Sequence, residues 1–157
     1  MFATSQSGAS DQTLNYELSH AELVAWGQSF GAQLPRPAVI TLSGDLGTGK
    51  TTVTRAICAG LGVHDLDAVT SPTYALIHEY AAPFGTVVHA DLYRLHTVAE
   101  LRDLGWDELL ATAAVVIVEW PELVAAELPP HTIALELRHN VANPDVRRLL
   151  VRTHIDT

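Results

Sequence analysis

Apolar positions along the chain recur with two periods, one near 3.6 and one of two, and the switches between them divide the sequence into elements. Leu23, Trp26, Phe30 and Leu34 fall at three-to-four spacing, which predicts an amphipathic helix over 19–34. Ser19, followed three residues later by Glu22, is the capping-box pattern that opens such a helix. Pro35 and Pro37 close it. "AVITLS" (38–43) is an apolar run of strand length, and a glycine-rich turn follows it. Val53, Ala56, Ile57 and Leu61 then share one helical face, with Gly60 and Gly62 marking the stop.

"YALIHEY" (74–80) and "TVVHADLY" (86–93) flank the turn-like "AAPFG" and read as neighbouring strands. "TVAELRDLGWDELLA" (97–111) reads as one helical stretch. "AAVVIVEW" (113–120) is a continuous apolar run ending in an acid, the pattern of a strand covered on both faces. "HTIALELRH" alternates strictly, "NVANPD" turns, and "VRRLLVRTHI" returns as the second arm of an antiparallel hairpin. The order α β α β β α β β β predicts an α/β fold: a mixed sheet with a parallel centre, flanking helices and a C-terminal antiparallel hairpin.

Composition narrows the class. The 157 residues suit one domain, expected over 14–157 behind a loose polar tail at 1–13. The opening "MFATSQSGASDQ" has neither the basic start nor the apolar core of a secretory signal. No apolar run approaches the ~20 residues that span a bilayer. Cys58 stands alone, which excludes an internal disulfide and a multi-cysteine zinc site, and it reads as a small core residue. A cytoplasmic, soluble protein is expected. The formal net charge is −9, and the eight arginines and single lysine are scattered, with only Arg147 and Arg148 adjacent. A chain so acidic does not grip phosphodiesters by itself, so any nucleic acid is expected to be met through a partner. The eight histidines show no pair at helical ligand spacing, which disfavours a histidine-built metal site.

The lone lysine sits in the glycine turn. Gly44-Asp45-Leu46-Gly47-Thr48-Gly49-Lys50-Thr51 satisfies G-x-x-x-x-G-K-[ST], between an apolar strand and an amphipathic helix. Glycines let successive N–H groups curl around a phosphate, and the helix adds its unpaired amides and the positive end of its dipole. Lys50 serves as a compact cation for the β- and γ-phosphates, where arginine's planar fork does not fit the cradle. The Thr51 hydroxyl is a magnesium ligand in this pattern. The turn is therefore read as a P-loop.

Hydrolysis needs a carboxylate near the metal. Glu119, closing "VVIVE", is placed like a Walker-B acid at the tip of a buried strand. Asp91 in "VVHADLY" is a second candidate, and periodicity does not decide which of the two meets the metal. "TSPTY" (70–74) offers three hydroxyls around Pro72, and Thr73 there would suit a loop that closes on a γ-phosphate. On the residues alone the simpler reading is an ordinary Ser/Pro turn. Trp120 would stack on a ring or belong to a core or interface. A small P-loop kinase is the competing function. Such kinases use a basic lid, whereas "WPELVAAELPP" after Glu119 contains no basic residue.

Four segments in this order carry a resemblance: "GDLGTGKTT" (44–52), "SPTYALIHEY" (71–80), "HADLYRL" (89–95) and "VEWPE" (118–122). They resemble the bacterial tRNA threonylcarbamoyladenosine biosynthesis ATPases, the TsaE (YjeE) family, over roughly residues 15–155. The resemblance implies an ATPase needed for threonylcarbamoyl modification of the adenosine beside the anticodon in tRNAs reading A-starting codons. It implies ATP and Mg²⁺ as cofactors, and as partner a TsaB–TsaD-type transferase heterodimer that supplies most of the tRNA contact and is reset by hydrolysis. Carried over by position, Gly47, Thr48, Gly49, Lys50, Thr51 and Thr52 hold the phosphates, and Thr51 and Glu119 hold Mg²⁺. Asp91 is the acid required for hydrolysis. Ser71, Pro72 and Thr73 form a switch-like loop, with His89, Tyr93, Arg94 and Trp120 lining the same surface. Ser19 and His20 lie near the adenine. Arg147 and Arg148 approach the nucleotide in a hairpin that matches the family least well.

Overall fold

The computed structural model describes residues 10–70 and 76–155. Their strands are β1 (Ser10–Ser19), β2 (Ala38–Ser43), β3 (Ile77–Ala82), β4 (Gly85–Asp91), β5 (Val115–Glu119), β6 (Ile133–His139) and β7 (Val146–Ile155). Their helices are α1 (His20–Gln33), α2 (Lys50–Leu61), α3 (Val98–Asp103) and α4 (Trp106–Thr112). The seven strands form one sheet in the order β1-β7-β6-β2-β5-β4-β3. β6, β2, β5 and β4 run parallel, while β7 and β1 extend one side and β3 the other antiparallel. The parallel centre and C-terminal hairpin are those the sequence pattern predicts.

β2 and β5 are apolar without alternation because both faces of the central sheet are covered. Ile40, Leu42 and Ile117 pack with Leu23 of α1 and Val53 and Ile57 of α2. Val39, Val116 and Val118 pack with Leu101 of α3 and Trp106 of α4 on the other face. Cys58 is fully buried in the first of these clusters. Among the described residues no helix is long and apolar enough to cross a membrane.

Two elements differ from expectation. Residues 10–13, expected in the polar tail, are the start of β1, paired with β7 from Ser10↔Ile155 to Ser19↔Val146. The strand lies at the sheet edge: Asp11 to Asn15 are exposed, and Tyr16 and Leu18 turn onto the core. So short an alternation is invisible beside the polar run before it. The rest of the expected tail, 1–9, lies outside the described residues. The helical stretch 97–111 is two helices, because Gly105 takes a left-handed φ of 81° between them. That break turns Trp106 fully into the core.

The α1 start is as expected. Glu22 N donates to Ser19 Oγ at 3.2 Å, and Ser19 N donates to Glu22 Oε1 at 3.1 Å. Ser19→Ala removes the hydroxyl acceptor and is expected to lower stability by about 1 kcal/mol. Urea denaturation checks this, and an unchanged midpoint would show the cap to be idle.

Candidate nucleotide site

The site forms where the parallel strands end. Beyond Ser43 the chain turns sharply through Gly44 at φ 143° and Gly49 at φ 104°, conformations that side chains disfavour. A Cβ on Gly44 would collide with the Leu137 carbonyl and lie 2.9 Å from Thr48 Oγ1. α2 then begins with Gly49 as its N-cap and no side-chain bond to its first amides. Those N–H groups, with the positive end of the helix dipole, are available to an anion.

The Lys50 ammonium is held by the turn itself, donating to Gly44 O at 2.6 Å and Asp45 O at 2.9 Å. It also lies 4.3 Å from the centre of the Trp120 ring. Burial pushes its pKa below the usual 10.5, and the carboxylates of Glu119, Asp91, Asp45 and Glu122 oppose that shift. Thr48 is buried and its hydroxyl bonds to Asp45 O at 2.8 Å, bracing the turn from within.

Strand register brings the two acids together. Leu42 pairs with Glu119 across β2–β5, and Asp91 pairs with Glu119 across β4–β5. Thr51 Oγ1 donates to Glu119 Oε1 at 3.3 Å. Asp91 Oδ1 accepts Tyr93 N–H at 3.0 Å. Glu119 is thus hydrogen-bonded to the Thr51 hydroxyl, and Asp91 lines the same cavity. Hard oxygen donors of this kind, a hydroxyl and a carboxylate, fit Mg²⁺. Immediately after Glu119 the chain leaves the strand with Trp120 in a left-handed conformation, φ 55°, which for an L-residue costs about 1 kcal/mol. That turn sets the indole against Tyr93, ring centres 4.8 Å apart, and over Lys50.

Two cavities meet at the glycine turn. One, about 580 Å³, is lined by Lys50, Thr51, Asp91 and Glu119, together with Tyr93, Arg94 and Trp120. The other, about 640 Å³, is lined by Thr48 and by Ser19 and His20 at the start of α1. Gly47, Gly49 and Thr52 line both. Arg147 belongs to the second cavity, whereas Arg148 points to the opposite side of the sheet, 4.0 Å from Glu17. The pair expected together at the nucleotide is therefore split by strand alternation. Thr73, Ser71 and Pro72 lie outside the described residues. His89, expected to line the surface, does not: it is 0% exposed, behind Glu119, with Nε2 2.9 Å from Glu119 Oε2. Tyr80, to which the sequence drew no attention, is bonded to His89 Nδ1 at 3.0 Å. The available signal was period two, which carries His89 onto the face of Asp91.

A glycine turn joining a central parallel strand to a helix, with its Lys-Thr pair beside a carboxylate from the next strand, defines the P-loop class of α/β proteins. The family model described as threonylcarbamoyl adenosine biosynthesis protein TsaE matches residues 18–149, and the chain belongs to that family. Relatives named tRNA threonylcarbamoyladenosine biosynthesis protein TsaE occur in several bacteria. The one from Treponema pallidum is 35% identical over 76% of this chain and 87% of its own length. That from Bacillus subtilis is 38% identical over 71% of this chain and 66% of its own length. That from Streptomyces coelicolor is 38% identical over 72% and 78%. The crystal structure of Bacillus subtilis YdiB superposes with a TM-score of 0.71 at 26% identity, covering 93% of this chain and 88% of that one.

Proposed function

We propose that this chain is the ATPase of a tRNA threonylcarbamoylation machine in the cytoplasm. It binds Mg·ATP at the glycine turn and hydrolyses it slowly when alone. Hydrolysis resets a TsaB–TsaD-type transferase heterodimer that modifies the adenosine beside the anticodon of tRNAs reading A-starting codons. One observation carries the nucleotide reading: the Lys50 ammonium, the uncapped start of α2 and the Thr51–Glu119 pair share one cavity. Family membership supports the pathway.

In this reading the amides of Gly47 to Thr52 and Lys50 bind the phosphates. Thr51 and Glu119 hold Mg²⁺, which when bound neutralises phosphate charge. Asp91 orients the attacking water, and Thr73 responds to the γ-phosphate. Ser19 and His20 flank the nucleoside from the second cavity, and Trp120 closes the first over Lys50. The net charge of −9 leaves tRNA contact mainly to the partners. Slow solitary turnover fits the cation content of the first cavity, where among the described lining residues Lys50 is accompanied by Arg94 alone.

Mixing the protein with the transferase heterodimer of its own source and ATP tests this. ADP release is expected to rise at least about tenfold, well short of the ~10³–10⁵ that a partner-supplied arginine finger contributes, and the three chains are expected to co-elute on gel filtration. The absence of both stimulation and co-elution would overturn the reading.

A further inference from the structure

A file of polar side chains crosses the α2 face of the sheet from its β3 edge towards the glycine turn. Tyr80 of β3 lies 3.0 Å from His89 Nδ1, His89 Nε2 lies 2.9 Å from Glu119 Oε2, and Glu119 Oε1 accepts from Thr51 at 3.3 Å. His89 and Glu119 are 0% and 2% exposed. A carboxylate so deep is tolerated when its oxygens are hydrogen-bonded. With Glu119 ionised, both its oxygens accept, so the facing His89 Nε2 carries hydrogen. In the neutral ring Nδ1 then accepts the Tyr80 hydroxyl. In that tautomer donation runs from Tyr80 to His89 to Glu119, and the Tyr80 hydroxyl also has His78 Nδ1 at 3.5 Å.

We propose that His89 and Tyr80 are positioning residues for the divalent cation: they anchor Glu119 Oε2 so that Oε1 stays beside the Thr51 hydroxyl. The need for an anchor comes from Lys50. The two groups line the same cavity, and their mutual attraction is the largest of the carboxylate effects on the ammonium. A Glu119 side chain released from His89 rotates towards that ammonium. The rotation withdraws the metal's carboxylate and engages the cation intended for phosphate. His89 prevents this by holding Oε2, and Tyr80 fixes the tautomer that lets it do so. Hydrogen-bond partners behind a ligating carboxylate commonly change metal affinity tenfold or more.

This inference rests on the Mg·nucleotide reading above, and the test separates the two. ADP binding is measured by calorimetry in wild type, Tyr80→Phe, His89→Gln and His89→Leu, in EDTA and across a Mg²⁺ series, with thermal melts as the fold control. In EDTA Tyr80→Phe and His89→Gln are expected to bind ADP as wild type does, and His89→Leu at most about threefold more weakly, because there Glu119 competes with phosphate for Lys50. The Mg²⁺ concentration giving half of the tightening is expected to rise about tenfold in His89→Leu and about threefold in Tyr80→Phe. His89→Gln places an amide N–H near the lost Nε2 and is expected to recover most of the wild-type value. Unchanged Mg²⁺ midpoints in the folded variants would overturn the proposal, as would His89→Gln failing as badly as His89→Leu. Should His89→Leu not fold, Tyr80→Phe and His89→Gln decide by the same midpoints: a rise in the first and near-wild-type behaviour in the second support the proposal, and no rise in Tyr80→Phe overturns it. Wild-type ADP binding that ignores Mg²⁺ would instead remove the nucleotide reading itself, and this proposal with it.

Discussion

Lys50→Ala is expected to weaken ATP binding roughly a hundredfold or more while the fold survives, an effect of about 3 kcal/mol. A hydrogen bond to a charged group contributes about 1.5–3 kcal/mol, and an ammonium between two phosphates makes more than one. Part of that gain is offset, since Lys50 already donates to Gly44 O and Asp45 O and must exchange those bonds for phosphate oxygens. The surroundings act in the other direction. Glu119, Asp91, Asp45 and Glu122 all bear on this one ammonium. Without it, a polyanion would enter a cavity dominated by carboxylates. Repulsion is then added to the lost bonds, which is why alanine is expected to approach complete loss. Titration calorimetry with ATP measures the change, and circular dichroism confirms that the sheet is intact. Affinity within about threefold of wild type, less than one neutral hydrogen bond would explain, would remove the glycine turn from the binding site.

Much of this arrangement was legible because its determinants are local. β2 begins and ends where the apolar run between Pro37 and Gly44 does, and the cap of α1 follows from Ser19 and Glu22 three residues apart. Thr51 was legible from the glycine-turn pattern and Glu119 from the end of its apolar run, and the register Leu42↔Glu119 sets the two side by side. What escaped depends on contacts distant in sequence. β1 is a strand because β7 is there to pair with it; its own alternation amounts to Tyr16 and Leu18. Period two puts His89 on the face of Asp91, but its complete burial goes with partners distant in sequence, Tyr80 of β3 and Glu119 of β5. Arg147 and Arg148 are neighbours in sequence and lie on opposite sides of the sheet.

Gly60→Ala is expected to cost about 2 kcal/mol and lower the melting temperature by roughly 4–8 °C, although alanine is the better helix former. The preference for alanine in a helix is worth about 1 kcal/mol, so the sign is decided at the seam between α1 and α2. A Cβ on Gly60 would collide with the Gln28 carbonyl oxygen and lie 2.8 Å from Ala32 N. Both are backbone atoms of α1, and no rotamer change relieves the overlap. Across the same seam a Cβ on Gly31 would collide with the Ile57 carbonyl, and one on Gly27 would lie 2.7 Å from Ala56 Cβ. The helices therefore pack with their backbones nearly in contact, and forcing one methyl between them costs about 3 kcal/mol before the helix preference is subtracted. Function is tied to the same seam. α1 brings Ser19 and His20 to the second cavity, while α2 starts at Lys50 and frames both cavities. Separating the helices moves one wall of the second cavity away from the glycine turn, so nucleotide affinity is expected to fall along with stability. Thermal melting with and without ADP reads both. A Gly60→Ala protein melting at or above the wild-type temperature would mean that the α1–α2 seam has room for the methyl.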